Sequence, residues 1–255
     1  MIRRVAVIAL NTFKENVRDK ILYNLVIFGL LLTGSAMLLS TLSIGEQARI
    51  ITDIGLASIN VFGILIAIFL GISLVNKELD RRTIYTIITK PVRRFEFVLG
   101  KYFGLVLTLF VNVAVMVAGF LLTLLASQIG LDPSLLKAVG LIFVELLVVT
   151  AIAVMFSTFT TVTLSAIFTL SIYVIGHLTS DLQTLGAKLP VLSRTVVNGL
   201  YYALPNLEYL NVKGQVAHHI PISVSYLLTA ISYGLLYAAG LLIVACAIFQ
   251  RRDFK

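Results

Sequence analysis

The sequence has one cysteine, Cys246, no tryptophan, five prolines and only 13% charged residues in 255 positions. A lone cysteine excludes an intramolecular disulfide framework and a cysteine-based metal cluster. Placed in an apolar run near the C-terminus, Cys246 reads as a small core residue. The shortage of charge, together with 59% hydrophobic residues and a mean hydropathy of +1.01, excludes a soluble globular domain. No G-x-x-x-x-G-K-[ST] phosphate loop, no H-E-x-x-H pair and no nucleophile–base arrangement occurs. Neither a nucleotide site nor an intramembrane enzyme therefore has support, and no internal sequence repeat is visible.

What the chain does have is long apolar runs. About 17 to 25 predominantly apolar residues are needed to cross some 30 Å of hydrocarbon. Six stretches qualify: Ile21–Leu42, Ile54–Val75, Phe97–Ala126, Ala138–Phe156, Leu164–Ser180 and Ser223–Phe249. The expected fold is an all-α membrane protein with a six-span domain over 21–249 and a short tail, 250–255. The third stretch is long enough for its ends to protrude or tilt.

The formal net charge is +8. The basic residues adjoin the apolar runs, so they suit an anionic leaflet or an acidic protein partner, and no nucleic-acid partner is expected. On a six-span threading, one side collects Arg3, Arg4, Lys14, Arg18, Lys20, the seven lysines and arginines of residues 77–102, and Arg251, Arg252 and Lys255. That is fifteen of the twenty. Positive loops are retained in the cytoplasm, so both termini and the 77–96 loop are expected there, in a multi-pass protein of a bacterial or archaeal plasma membrane. The opposite side holds Arg49, Lys137, Lys188, Arg194 and Lys213, nearly balanced by Glu46, Asp53, Asp132, Asp181 and Glu208.

Residues 1–20 do not read as a cleavable signal, because a helix of mixed charge precedes an apolar run longer than a signal's core. Val5, Ile8, Ala9, Phe13 and Val17 recur at helical spacing, which predicts an amphipathic helix lying flat on the cytoplasmic leaflet. Residues 181–222 are broken by Pro190, Pro205, Pro221, Gly186, Gly199 and Gly214. One or two short helices dipping into the outer leaflet are expected there.

Within residues 77–94, Leu79, Thr83, Ile84, Ile87 and Ile88 share a helical face, with Glu78, Asp80, Arg81, Arg82 and Tyr85 around the rest. Pro91 stops the helix. A short amphipathic helix beginning near Glu78, with Glu78 and Asp80 at its positive end, is thus predicted to lead directly into the third span.

The segment "LVNKELDRRTIYTIITKPVRRFEFVLGKY" resembles the signature of ABC-2 type permeases, the membrane subunits of one class of ATP-binding-cassette transporters. Glu78, Thr83, Pro91, Arg93, Gly100 and Lys101 match that pattern; where the family usually has a glycine before the threonine, this chain has Arg82. "MFSTFTT" (155–161) and "LPNLEYLNVK" (204–213) are similar to the subgroup containing the permease of nitrous-oxide-reductase copper-site maturation. The resemblance implies that the loop is a coupling helix seated in a separate ABC ATPase subunit, which would bind Mg-ATP. Docking would then fall to Glu78, Asp80, Arg81, Arg82, Thr83, Tyr85, Lys90, Pro91, Arg93 and Arg94. It further implies no cofactor or catalysis in this chain, a second copy of itself or a related permease as partner, and export of a substrate. An alternative is mechanotransmission to an external accessory protein without transport.

Glu145 is the acid well inside a span, where an unpaired carboxylate costs roughly 2.5 to 3.5 kcal/mol or more. Asn60, Asn112, Thr150 and Tyr173 are partners of comparable depth. A structural hydrogen bond between helices is the favoured reading, and a pathway-lining or proton-coupled role for Glu145, Asn60 and Asn112 is the alternative. His218 and His219 adjoin Pro221, but adjacent histidines diverge on a helix, so no metal site is expected. Met37, Met116 and Met155 are too scattered for a copper relay. Ser157, Thr158, Thr160, Thr161 and Thr163 are expected to satisfy backbone groups at the turn after the fourth span.

Overall fold

A computed structural model describes residues 2–41, 46–80, 93–130, 132–179, 199, 204–218 and 220–251, with side chains on the second spanning helix described as far as Ile72. All regular structure among them is helical: α1 (Ile2–Asn16), α2 (Lys20–Ser40), α3 (Gln47–Asp80), α4 (Arg94–Ala126), α5 (Pro133–Ser157), α6 (Val162–His177), a 3₁₀ turn (Glu208–Leu210), α7 (Lys213–Ala217) and α8 (Val224–Arg251).

Local chemistry sets the helix ends. Asp19 caps α2 by accepting from the Ile21 N–H, and Asp132 caps α5 by accepting from Ser134 N–H, with Pro133 in the first turn. Glu96 accepts from the Arg93 N–H at the start of α4. That helix ends in a left-handed residue, Gln128 (φ 56), with Ile129 N–H returning to Leu124 O.

Cross-helix contacts give the directions. Asn60 meets Glu145, Gly63 meets Leu146 and Gly71 meets Ala153, so α3 and α5 run the same way. Tyr102 reaches Leu147 O and Phe110 meets Phe143, so α4 runs opposite to α5. Lys137 donates to Ile222 O and Gly234 adjoins Val144, so α8 runs with α5. Its far end returns to α4, where Phe97 stacks on Phe249 and Arg94 Nη1 donates to the carbonyls of Phe249 and Gln250. A cation on the last carbonyls of a helix also complements its dipole. The core sits on α3 and α5, whose apolar windows are 67% buried, against 28% for α2 and 22% for α8.

The structure refines three expectations. Among the described residues, five helices are long and apolar enough to cross a membrane. The expected fifth span is α6, only 16 residues, about 24 Å at 1.5 Å per residue; the buried residues Leu207, Leu210, Val212 and Val216 pack into the bundle beyond its end. Glu78 does not begin a helix, since the backbone of α3 is continuous from Gln47 through Asp80. An uninterrupted helix needs no second nucleation event. Finally, Val5, Ile8 and Ala9, from the face assigned above to a leaflet, lie on α4. A Cβ on Gly100 would come within 2.7 Å of Ile8 Cβ, and one on Gly104 within 2.6 Å of Ala9 O and of Thr12 Cβ. The missing side chains open a groove that α1 fills.

Candidate functional site

Two places bring chemically distinctive residues together. The first is the seam between α1 and α4. Arg4 pairs with Glu96 at 3.7 Å, Ile8 lies on Gly100, Thr12 on Gly104, and Asn16 Nδ2 donates to Thr108 Oγ1 at 3.4 Å. Partners advance four by four on both chains, so the helices run in the same direction. Lys101 adds an ion pair with Glu15 at 3.7 Å and lies 5.8 Å from the Phe97 ring centre. Thus Gly100 and Lys101, singled out above through the loop signature, seat the N-terminal helix. α1 flanks the first half of α4, and α2 flanks the second, where Gly29 meets Met116 and Gly119 meets Leu30.

The second place is a polar cluster inside the bundle. Glu145 on α5 is fully buried. Its Oε2 accepts from Asn60 Nδ2 on α3 at 2.9 Å, and Asn60 Oδ1 accepts from the Tyr173 hydroxyl on α6 at 3.2 Å. Glu145 Oε1 faces His177 Nε2 at 3.3 Å. The rings of Tyr173 and His177, one helical turn apart, pack at a tilt of 55° with centroids 4.6 Å apart. Lys213 on α7 stands within electrostatic reach of Glu145 and Glu208. The roof over the cluster is held by tyrosines of α8: Tyr226 donates to Tyr209 O, and Tyr233 accepts from Asn206 N–H. A Cβ on Gly176 would come within 2.9 Å of Pro205 O, so this glycine is what lets the roof descend onto α6.

Of the four partners weighed for Glu145, Asn60 is the direct one and Tyr173 acts through it. Thr150 donates to Leu146 O within its own helix. Asn112 donates to Thr108 O and lines a separate groove of about 310 Å³ with Asn16, Leu22, Val26 and Val115. His177 is the partner that sequence reasoning missed. A lone histidine one turn after Tyr173, at the end of an apolar helix, was the available signal. Among the described residues no group of three or more metal-ligating side chains occurs; His218 is exposed and bonds Gly214 O, and His219 lies outside the described residues. Ser157, Thr158 and Thr160 bond the carbonyls of Val154, Met155 and Phe156, as expected of the turn after α5.

In the loop set, Arg93 precedes α4 and Arg94 holds the end of α8. Glu78 and Asp80 lie on the helical backbone of α3. Arg81, Arg82, Thr83, Tyr85, Lys90 and Pro91 lie outside the described residues.

Among the described residues, an all-helical bundle with five helices of membrane-spanning length and a buried carboxylate bonded to a neighbouring helix defines a multi-pass membrane protein. Residues 6–254 match the family described as ABC-2 family transporter protein, and the chain belongs to that family. It is a permease subunit of an ABC transporter, whose family pairs with an ABC ATPase subunit. No curated protein matches the chain.

Proposed function

We propose that this permease works as a dimer, with itself or a related chain, and couples Mg-ATP hydrolysis by two separate ATPase subunits to export. The observation that carries this reading is how the ends of the 81–93 connection are tied. On one side lies the end of α3, and on the other the start of α4. The first turn of α4 is bonded to α1 through Glu96 and to the end of α8 through Arg94. A force on this short stretch therefore reaches four helices at once.

The chain crosses the membrane six times in this reading, with α6 and the packed segment after it together making the fifth crossing. Support comes from the ends of α8, which begins beside the start of α5 and finishes beside the start of α4. Both termini and the basic 77–94 region then share the cytoplasmic side, and α1 lies there alongside α4. A second reading, mechanotransmission to an external partner, is favoured by the packing of residues 207–218 and 220–222 on α5, α6 and α8, which links the outer segment firmly to the moving helices. That reading also suits the resemblance of residues 204–213 to the nitrous-oxide-reductase maturation subgroup.

Reversing two charges at the end of α3, Glu78→Lys with Asp80→Lys, tests the docking role. Mispaired charges at such an interface cost about 2 to 5 kcal/mol, a fall of roughly thirtyfold or more in affinity. Membrane insertion should be normal while the ATPase no longer co-purifies or no longer drives activity. Wild-type recovery of the ATPase together with wild-type activity would show that these residues do not dock it.

A further inference from the structure

Glu145 and His177 meet through atoms that have no other hydrogen-bond partner among the described residues. Glu145 Oε2 is occupied by Asn60, but Oε1 and His177 Nε2 have only each other, at 3.3 Å. The other ring nitrogen, Nδ1, lies 3.1 Å from the carbonyl of Tyr173. A carbonyl only accepts, so Nδ1 carries a hydrogen. A neutral imidazole has a single N–H, which leaves Nε2 as a bare acceptor, and an ionised carboxylate is acceptor-only as well. Two acceptors facing each other at 3.3 Å inside a buried site would repel, and that distance leaves no room for a water between them. One hydrogen must lie between them, bonded either to Nε2 of an imidazolium or to Oε1 of a carboxylic acid.

We propose that Glu145 and His177 form a proton-binding site that holds one shared proton, and that this proton fastens the outer end of α6 to α5. The titratable groups facing the pair from the elements around it are Tyr173 on α6, Lys213 on α7 and Glu208 in the 3₁₀ turn; α3 contributes the non-titrating Asn60. Glu145 itself is shut off from solvent, whereas the His177 side chain is 20% exposed, so the imidazole is the route by which the proton enters and leaves. Release sends H⁺ to water and leaves the pair with one net negative charge. Lys213, already drawn by Glu145 and Glu208, then becomes the counter-ion. Proton release therefore pulls α7 and the outer segment inward while freeing α6. The site gives the permease an input separate from ATP, and it stands whether or not residues 77–94 dock an ATPase.

The test uses the full chain in lipid nanodiscs, with His218→Gln and His219→Gln so that His177 is the remaining histidine, and with isotope-labelled histidine and glutamate. Near neutral pH, nuclear magnetic resonance should find one proton on the pair: a doubly protonated ring beside an ionised Glu145, or a neutral ring beside a protonated one. A neutral ring beside an ionised Glu145 overturns the proposal. A second readout needs neither histidine substitution. Solvated Glu and His together hold no such proton above about pH 6.5, so unfolding releases it and thermal stability must fall as pH rises through that range. The isosteric Glu145→Gln, which supplies a hydrogen without a titrating proton, should flatten that slope. An unchanged slope in Glu145→Gln would equally overturn the site.

Discussion

The α1/α4 seam and the Glu145 cluster both join helices distant in sequence, and they do so by opposite means. At the seam, backbones approach because Gly100 and Gly104 present no side chain; its polar contacts, Arg4–Glu96 and Asn16–Thr108, lie to either side of the two glycines, with Arg4 51% exposed. In the cluster, bulky polar side chains meet inside the bundle, each taking up another's hydrogen-bonding capacity. The seam is thus first a fit of shape, intolerant of an added methyl group. The cluster is a fit of donors and acceptors, tolerant of an isostere but not of a missing partner. In one case the cost of error is steric overlap, which rises steeply with a fraction of an ångström. In the other it is the desolvation of an orphaned polar group.

Substitutions that exchange these tolerances sharpen the contrast. The largest effect belongs to Glu145→Leu, which orphans Asn60 Nδ2 and His177 Nε2. At about 1 to 3 kcal/mol for each buried unpaired group, thermal unfolding in mild detergent should show a loss of at least about 2 kcal/mol. Glu145→Gln should keep most of the stability, and equal losses for Leu and Gln would mean that hydrogen bonding does not hold the cluster. Next comes Gly104→Ala, whose new methyl meets a backbone oxygen and a Cβ, neither of which can rotate away. A loss of about 1 to 3 kcal/mol should appear, with weaker protection of α1 in hydrogen exchange. Stability equal to wild type would show that α1 does not need the groove. Smallest is Gly34→Ala on α2, where nothing lies within 4 Å of the added carbon. Relief of glycine's backbone entropy predicts a gain of about 0.5 to 1 kcal/mol. A loss as large as that of Gly104→Ala would break the claim that space, and not glycine as such, distinguishes the two positions.

Much of the α1/α4 seam was half legible. The face Val5, Ile8, Ala9, Phe13 stood out by its period of 3.6, and Gly100 and Lys101 stood out as a motif, yet nothing in the order of residues said that one would receive the other. An apolar stripe records that water is excluded, not what excludes it. In the cluster, Asn60 and Tyr173 were legible because polar residues inside apolar runs are costly enough to need partners. His177 was missed because it ends a helix whose depth depends on the segment folded over it, and Asn112, weighed with the others, turns to its own helix.

By itself the sequence determined that this is a helical membrane protein, where most of its helices run, and that Glu145 has to be satisfied; each follows from composition, spacing and the energy of burying a charge in a low-dielectric interior. Only the tertiary structure decided that α6 stops short with a buried segment beyond it, that α1 belongs to α4, and that a histidine thirty-two positions away completes the carboxylate's bonding. Those outcomes depend on which surfaces fit and on where donors and acceptors meet in space. Periodicity along one chain segment carries no information about either.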